Sequence, residues 1–314
     1  MPSLNRGINY LLHNRAHFCD SIVRNFLGFL PDKLYLSLRY RCQMGHWINW
    51  NNPKTFTEKL QWLKVYDYKP EYTKMVDKLA AKDYVASRIG EEYIIPTLGV
   101  WDKVEDIDWD SLPDQFVLKT THGGGGCGVV VCSDKTHFDK AKAIEKLQTS
   151  MHSNAGKTYR EKPYLNVPRK IIAEKFMAES NVIENTKPSD LQDYKFFCFN
   201  GNVKCFKIDF GRFVEHHANY YSPEGKLLPF GEKGLEPDPN HVEIMPVNLN
   251  NMITIAEKLS GGFKFLRVDL YNVKGKIYFG ELTFYPASGM GAFVPEEWDE
   301  KLGRMLNLDN HHVH

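Results

Sequence analysis

Three stretches combine residue types at a spacing suited to chemistry on a phosphorylated ligand. In Phe116-Val117-Leu118-Lys119-Thr120-Thr121-His122-Gly123-Gly124-Gly125-Gly126-Cys127-Gly128-Val129, five glycines fill six positions behind a lysine. Glycines let a backbone approach a ligand closely and aim its N–H groups at phosphate oxygens. Lys119 adds positive charge at the end of a strand. The lysine precedes the glycines and a strand follows them, so the stretch is neither a Walker A loop nor a dinucleotide fingerprint. A bare hairpin tip would account for the glycines alone; the lysine and the flanking strands favour a nucleotide. The second stretch is Arg267-Val268-Asp269-Leu270, with Glu281-Leu282-Thr283 across a hairpin. Charges among apolar residues are seldom buried unless paired or metal-bound. Asp269, Glu281 and Thr283 together make a hard oxygen site suited to magnesium and phosphates. A solvated hairpin face with alternating charges is the competing reading. Arg267 is expected on the face opposite Asp269 unless a bulge or twist intervenes. The third stretch, 171–177, is an apolar strand whose end can read an adenine edge; taken alone, an edge strand explains it better.

These residues need elements to hold them. Residues 1–50 read as helices with irregular breaks, the second opened by Pro31-Asp32. Thr55 and Glu58 form a capping box ahead of a helix carrying Phe56, Leu60 and Leu63. One continuous helix is expected over 70–89, with Met75, Val76, Leu79 and Ala80 on one face and Gly90 as its stop. Strands are expected at 93–95, 116–119, 129–132 and 171–176, a helix at 137–151, and loops at 153–168 and 179–192. Three hairpins follow, turning at Asn200-Gly201, Pro223-Glu224-Gly225 and Lys274-Gly275. A helix over 250–259 lies between the last two, and Pro295 opens a final helix. Helices first, then strand–glycine loop–strand–helix, then hairpins, is an α+β order and not a regular βαβ series.

The chain has 314 residues, enough for one large domain or two ordinary ones. With 42% hydrophobic and 25% charged residues it reads as globular, and no run approaches the ~18 apolar residues of a membrane span. A net charge of +1 provides no chain-wide field for nucleic acid. The charge is uneven: residues 1–50 carry six Lys/Arg against two acids, +4, which leaves −3 for the remainder. Such a basic, aromatic lead suits an anionic membrane surface; a solvated helix pair packed on the main domain competes with that. The six cysteines show no Cys-x-x-Cys pair and no zinc spacing, so free thiols in a reducing compartment are expected. No signal peptide is recognisable. The expected location is cytoplasmic, with residues 1–50 available to touch the inner face of the membrane.

Five segments taken together are specific. They are Asn52-Pro53-Lys54-Thr55-Phe56-Thr57-Glu58-Lys59-Leu60-Gln61-Trp62; Asp77-Lys78-Leu79; Phe116 to Lys119 with its glycines; Asp193-Tyr194-Lys195-Phe196-Phe197-Cys198-Phe199-Asn200-Gly201; and Arg267 to Leu270 through Gly280-Glu281-Leu282-Thr283-Phe284-Tyr285-Pro286. As a set they resemble the ATP-grasp superfamily and, over 51–298, its TupA-like branch, named for teichuronopeptide biosynthesis. The resemblance implies an α+β ATP-grasp fold, two α+β subdomains clamping ATP, with a helical N-terminal extension. The boundaries expected are 1–50 for the basic extension, 51–100 for a helical lead-in, 101–178 for the small subdomain with the glycine loop, and 179–314 for the large subdomain with the metal site. It implies that Lys78 and Lys119 bind nucleotide phosphates while Gly123, Gly124, Gly125, Gly126 and Gly128 close over them. Glu174, Lys175, Phe176 and Met177 look like the hinge that contacts adenine. Asp193 stands where a ribose-binding acid is expected, and Lys195 also faces the nucleotide. Asp269 and Glu281 match the magnesium carboxylates, and Arg267 the arginine that steadies the transferring phosphate, with Lys119 as its catalytic partner. Thr283 departs from the Asn of many ATP-grasp ligases. Ser288 and Gly289 lie in a loop similar to the substrate-side loop of D-alanine ligases.

The resemblance also implies a reaction. ATP-grasp ligases activate a carboxylate as an acyl phosphate that an amine then attacks, so the protein's task is positioning and charge neutralisation. The cofactors expected are ATP and Mg2+. The partners expected are a sugar-acid carboxylate on a small-molecule or lipid-linked glycan, and an amino acid, joined by an amide in a capsule, teichuronopeptide or other surface polysaccharide. Arg212, His216 and His217 are candidate acceptor contacts; a solvated His-rich loop is the competing reading. An ATP-dependent sugar kinase, a polysaccharide glycosyltransferase using a nucleotide sugar, and a non-catalytic ATP-binding protein remain open.

Overall fold

The computed structural model describes residues 15–177, 191–210, 216–235, 237–241 and 243–309. Helices α1 (15–26) and α2 (Asp32–Met44) lead into α3 (Phe56–Tyr66), α4 (Tyr72–Val76) and α5 (Ala80–Ile89). Then come β1 (Thr97–Trp101), β2 (Phe116–Thr120), β3 (Val129–Cys132), α6 (Lys140–His152), α7 (Ala155–Tyr159) and β4 (Ile171–Lys175). The remainder holds β5 (Asp193–Phe199), β6 (Asn202–Phe210), β7 (His217–Tyr221), β8 (Gly231–Glu232), α8 (Leu249–Ser260), β9 (Phe265–Val273), β10 (Lys276–Thr283), β11 (Phe293–Val294) and α9 (Glu297–Met305).

The strands form two main antiparallel sheets. The smaller has the order β1-β4-β2-β3 and buries Phe116, Leu118, Ile171 and Ala173 against Ala143 and Leu147 of α6. The larger has the order β10-β9-β5-β6-β7. Phe196, Cys198, Phe206, Val268 and Leu270 of the larger sheet share a core with Met252, Ala256 and Leu259 of α8. Local chemistry sets the turns. Asn200 and Gly201 take φ 49° and 80°, and Lys274 and Gly275 take 53° and 81°. These left-handed pairs match the twist of tight hairpins. The capping box forms as read: Thr55 Oγ1 accepts from the Glu58 N–H at 3.2 Å, and the Glu58 carboxylate accepts from the Thr55 N–H at 3.3 Å.

Several expectations change. The helix read over 70–89 is two helices, α4 and α5, broken at Asp77 to Leu79. The break has a cause: Asp77 Oδ1 accepts from the N–H groups of Leu79 (2.8 Å) and Ala80 (3.3 Å), so it starts a new helix. The strand expected at 93–95 is displaced to β1, after a short 3-10 turn at Glu91–Tyr93. The loop at 153–168 contains α7. The lead-in boundary at 51–100 is also split. Phe56, Leu60, Tyr72, Met75 and Val85 sit in the larger sheet's core, while β1 is the edge of the smaller sheet. All six cysteines are free thiols. The loop expected at 179–192 falls almost wholly outside the described residues, and the C-terminal histidines fall entirely outside them.

Candidate active site

Three lysines converge between the two sheets, and each has a different origin. Lys119 lies next to the end of β2, its ammonium 2.6 Å from Glu174 Oε2. Lys82, on the first turn of α5, lies 2.5 Å from Glu174 Oε1 and donates to the Ile95 carbonyl and to Thr97 Oγ1, both at 2.8 Å. Lys78 comes from the helix break: its N–H donates to the Thr121 carbonyl at 3.0 Å, and its ammonium donates to the Gly123 carbonyl. The same ammonium stands 4.0 Å from Glu281 of β10, so Lys78 bridges the glycine hairpin and the larger sheet. Burial pushes Lys78 and Lys82 below the usual lysine range, with Glu281 and Glu174 respectively pulling back. Burial works against the Glu174 carboxylate too, but Lys119 and Lys82 hold it below the ordinary glutamate range. Lys78, Lys82, Lys119 and Glu174 line one recess whose remaining wall is Ile94, Ile95, Phe279 and Gly280.

The glycine run divides into a base and a tip. A Cβ on Gly128 (φ 74°) would lie 2.3 Å from Ser150 Oγ and 2.4 Å from Thr120 Oγ1. Gly123 is equally pressed, against the Cys127 carbonyl at 2.4 Å. These two glycines are needed by the hairpin's own packing. Gly124, Gly125 and Gly126 face open space and are the tip that can approach a ligand.

On the larger sheet, Arg267 Nε donates to Asp269 Oδ1 at 2.7 Å, and its Nη2 donates to Asp269 Oδ2 at 2.7 Å and to Glu281 Oε1 at 2.8 Å. The expectation that Arg267 faces away from Asp269 is overturned, because residues two apart on a strand share a face. Glu281 reaches that face through a bulge. The ladder pairs Phe279 with Leu270, skips Gly280, and pairs Glu281 with Asp269. An unbroken ladder would set Glu281 opposite Val268, on the core side. Gly280 suits the bulge, since a Cβ there would meet the Asp269 carbonyl at 2.9 Å. Thr283 Oγ1 donates to Glu281 Oε1 at 3.3 Å, which completes the oxygen set. Burial pushes the Asp269 carboxyl up against the pull of Arg267, and Asp193 adds to the rise. Burial also acts on Glu281, but Lys78 and Arg267 hold it well below the usual carboxylate range.

The same face continues along β5 and β6 to Glu232 of β8 as an alternating chain of charges. Lys195 lies opposite Asp269 in the ladder, donates to Asp193, and stands 2.8 Å from Asp209. Lys207 stands 3.6 Å from Asp209 and 2.8 Å from Glu232, and Glu232 also accepts from the Tyr220 hydroxyl at 2.5 Å. Glu232 and Tyr220 in turn line a pocket with Ala287, Gly289 and Gly291. The segment Pro286–Gly289 holds Ala287 and Ser288 at φ 46° and 53°. Helix α3 clamps it. Gln61 Nε2 donates to the carbonyls of Ser288 (3.0 Å) and Gly289 (2.7 Å), and buried Lys64 donates to the Ser288 carbonyl and hydroxyl, both at 2.8 Å.

The structure therefore brings Lys78, Lys119, the glycine hairpin's base at Gly123, Arg267, Asp269, Glu281, Thr283, Asp193 and Lys195 around one cleft, with Ser288 and Gly289 at its far end. Other assignments change. Glu174 is not a strand end: its backbone pairs with Thr97 on one side and Val117 on the other, and its carboxylate anchors two lysines. Paired backbone has no free edge for a base at Glu174, and the Lys175 N–H donates to the Pro96 carbonyl at 3.0 Å. Phe176 and Met177 follow, half-buried. His217 pairs opposite Phe210 and stacks on its ring, on the face away from Asp209 and the charge chain. His216 is exposed, 3.4 Å from Asp209. Arg212 lies outside the described residues. Reading the sequence missed Lys82, Lys207, Asp209, Glu232, Gln61 and Lys64. The alternation of Lys207 and Asp209 with the apolar Phe206, Ile208 and Phe210 was a usable signal.

The residues present fit a magnesium-bound triphosphate. Three ammonium groups line the recess, one of them bonded to the Gly123 carbonyl at the base of the glycine hairpin, and the neighbouring donors are two carboxylates and a hydroxyl, all hard oxygens. Among the described residues no group of three or more His, Cys, Asp or Glu side chains could hold a metal alone, so phosphate or water oxygens would have to complete the coordination. Capping by Asp77 sets the position of Lys78. Asp77→Ala is expected to cost about 1 kcal/mol of stability and to weaken ATP binding several-fold, measured by calorimetry alongside thermal melting. Unchanged ATP affinity would show that the break does not place the lysine.

The profile of the TupA-like ATPgrasp family matches residues 58–307. No curated protein matches the chain. Among solved structures, the chain is similar to a D-alanine–D-alanine ligase from Bacillus anthracis complexed with ATP, at 15% identity over 67% of this chain and 54% of that one, with a TM-score of 0.38. It is also similar to an N5-carboxyaminoimidazole synthetase from Staphylococcus aureus complexed with ADP, at 14% identity over 71% and 50% of the two chains, TM-score 0.41. A D-alanine–D-alanine ligase from Helicobacter pylori matches at 13% identity over 80% and 69%, TM-score 0.41. The chain spans about half the length of the first two.

Proposed function

The chain belongs to the TupA-like ATP-grasp family, and from that premise we propose that it is an ATP-dependent carboxylate–amine ligase acting on a sugar acid and an amino acid in surface-polysaccharide assembly. The observation that carries the ligase reading is the meeting of Lys78, Lys119 and the base of the glycine hairpin at Gly123 with the Arg267–Asp269–Glu281 cluster across one cleft. Lys78 and Lys119 bind and orient the phosphates. Magnesium, when bound at Asp269, Glu281 and Thr283, supplies Lewis-acid neutralisation of phosphate charge. Arg267 steadies the transferring phosphoryl group with its planar fork. A carboxylate oxygen attacks the γ-phosphorus and the bond to ADP breaks. The amine nitrogen then attacks the acyl carbon, phosphate leaves with its electron pair, and the amine's proton departs with it. The buried Lys207–Glu232 pair and the Pro286–Gly289 segment border the space left for the co-substrates. The sugar acid and the amino acid rest on the family resemblance; a cytoplasmic location, with residues 1–50 able to touch the inner membrane face, rests on the cysteine usage and the basic, aromatic lead.

The test incubates the purified protein with magnesium-ATP, uronic-acid glycans and pooled amino acids. ADP and free phosphate appearing only with both co-substrates supports the ligase. ADP with a phosphorylated sugar and no free phosphate would make it a kinase, and turnover of a nucleotide sugar without ATP a glycosyltransferase. Lys119→Ala is expected to weaken ATP binding by one to two orders of magnitude, since it removes a charge-assisted phosphate contact; full affinity in that variant would count against the site.

A further inference from the structure

The N-terminal helices carry an apolar stripe that no other part of the described chain covers. On α1, Phe18, Ile22 and Phe26 recur every fourth residue and so share one face. They are 67%, 40% and 72% exposed, and Phe29 just beyond is 79% exposed. The opposite face of α1 is firmly attached. Val23 packs with Tyr35 and Leu36 of α2, and buried Asp20 lies 2.6 Å from Arg39. That attachment fixes which side of α1 points outward.

The surrounding charge identifies the occupant. Both acids of residues 1–50 are engaged: Asp20 with Arg39 and Arg24, and Asp32 with Arg160 at 3.6 Å and Lys162 at 3.8 Å. Arg15 and Arg41 are exposed, as is Lys33, whose ammonium lies over the Tyr66 and Trp50 rings. The charge that α1 and α2 leave uncompensated is therefore positive. Among the described residues no helix is long and apolar enough to cross a membrane. We propose that the Phe18–Ile22–Phe26–Phe29 face is a peripheral docking surface for an anionic lipid bilayer, with the aromatic rings in the headgroup boundary and the arginines on lipid phosphates. Aromatic anchors on an amphipathic helix flanked by basic residues have the chemistry of such a surface. The inference is independent of the proposed reaction and would stand if the enzyme proved to be a kinase.

The experiment is flotation of the full chain with phosphatidylcholine vesicles and with vesicles containing phosphatidylglycerol. Binding is expected to the anionic vesicles only, and to fall as salt rises. Phe18→Ser with Phe26→Ser should lower it at least tenfold, roughly the loss of burying two large side chains. Arg15→Glu with Arg41→Glu should lower it roughly tenfold. Both variants should keep wild-type melting and ATP affinity, which excludes misfolding as the cause. Equal binding to neutral and anionic vesicles, or no binding by the wild type, overturns the proposal. So does a dimer in sedimentation that only the Phe18/Phe26 variant loses, because a second copy would then be the occupant.

Discussion

Replacing Arg267 with alanine is expected to lower kcat by about a hundred- to a thousandfold, the scale seen when one preorganised donor to a transition state is removed. The guanidinium makes two bonds to Asp269 and one to Glu281. Burial disfavours its charge, but the two carboxylates more than restore it and push its pKa above the ordinary arginine value. It neutralises a carboxylate that is almost fully buried. Without it Asp269 loses its bidentate partner, and breaking such a pair costs about 3–5 kcal/mol. Stability and catalysis should separate on adding magnesium. The cation offers the two acids a new partner, so the melting temperature of Arg267→Ala should recover further with magnesium than that of the wild type, while kcat stays low. Arg267→Lys should not rescue kcat, since a point charge cannot span both carboxylates as the fork does. Steady-state phosphate release and thermal melting with and without magnesium make the check. A wild-type kcat in either variant would remove Arg267 from the chemistry.

The second large effect is expected at Lys64, which touches neither nucleotide site nor metal pair. Its ammonium is buried between the Tyr159 carbonyl (3.0 Å), Glu161 (3.5 Å) and both oxygens of Ser288 (2.8 Å each). Ala287 and Ser288 are two adjacent non-glycine residues in the left-handed region, each costing about 1–3 kcal/mol. That geometry persists because Gln61 and Lys64 hold its carbonyls. Lys64→Met strands Glu161 and frees the segment, so a loss of about 3–5 kcal/mol is expected. The KM for the carboxylate substrate should rise while ATP affinity stays near wild type. Ser288→Ala, which keeps the carbonyl contacts, should show a smaller effect in the same direction. A rise in the ATP dissociation constant as large as the rise in KM would sink the clamp reading.

Lys64 also makes a prediction about pH. Burial pushes it down to about 8 from 10.5, against the pull of Glu161. Between those values the unfolded chain holds the proton and the folded chain releases it. Stability therefore gains from this group as pH rises across that window, and the burial penalty is fully present below it. Lys78 and Lys82 are shifted the same way, so the slope attributable to Lys64 is the difference between wild type and Lys64→Met.

Much of the fold was legible because its signals are local. The Thr55–Glu58 capping box, the turns at Asn200-Gly201 and Lys274-Gly275, and the strand–lysine–glycine order from Phe116 to Val129 each depend on residues a few positions apart. Their conformations follow from side-chain hydrogen bonds and left-handed φ preferences that need no distant partner. Hence Lys119, the glycine tip, Asp269 and the hairpin carrying Glu281 could be named from the sequence as parts of one site.

Tertiary structure decided the rest, for reasons of pairing that sequence spacing does not contain. Asp77 ends one helix and caps the next, and so turns Lys78 from a helix-face lysine into a bridge between the two sheets. One skipped residue, Gly280, determines whether Glu281 faces Asp269 or the apolar core, because a strand's side chains alternate and a register step exchanges its faces. Glu174 was read as a place to meet adenine. Ladders on both sides engage its backbone, and its carboxylate holds two lysines from different elements. His217 falls on the far face by the same alternation that puts Lys207 and Asp209 on the near one. The sequence alone determined which residues could do the chemistry and the local turns that carry them. Only the packed chain, where buried charges must find partners in a medium that solvates them poorly, determined which of them stand together.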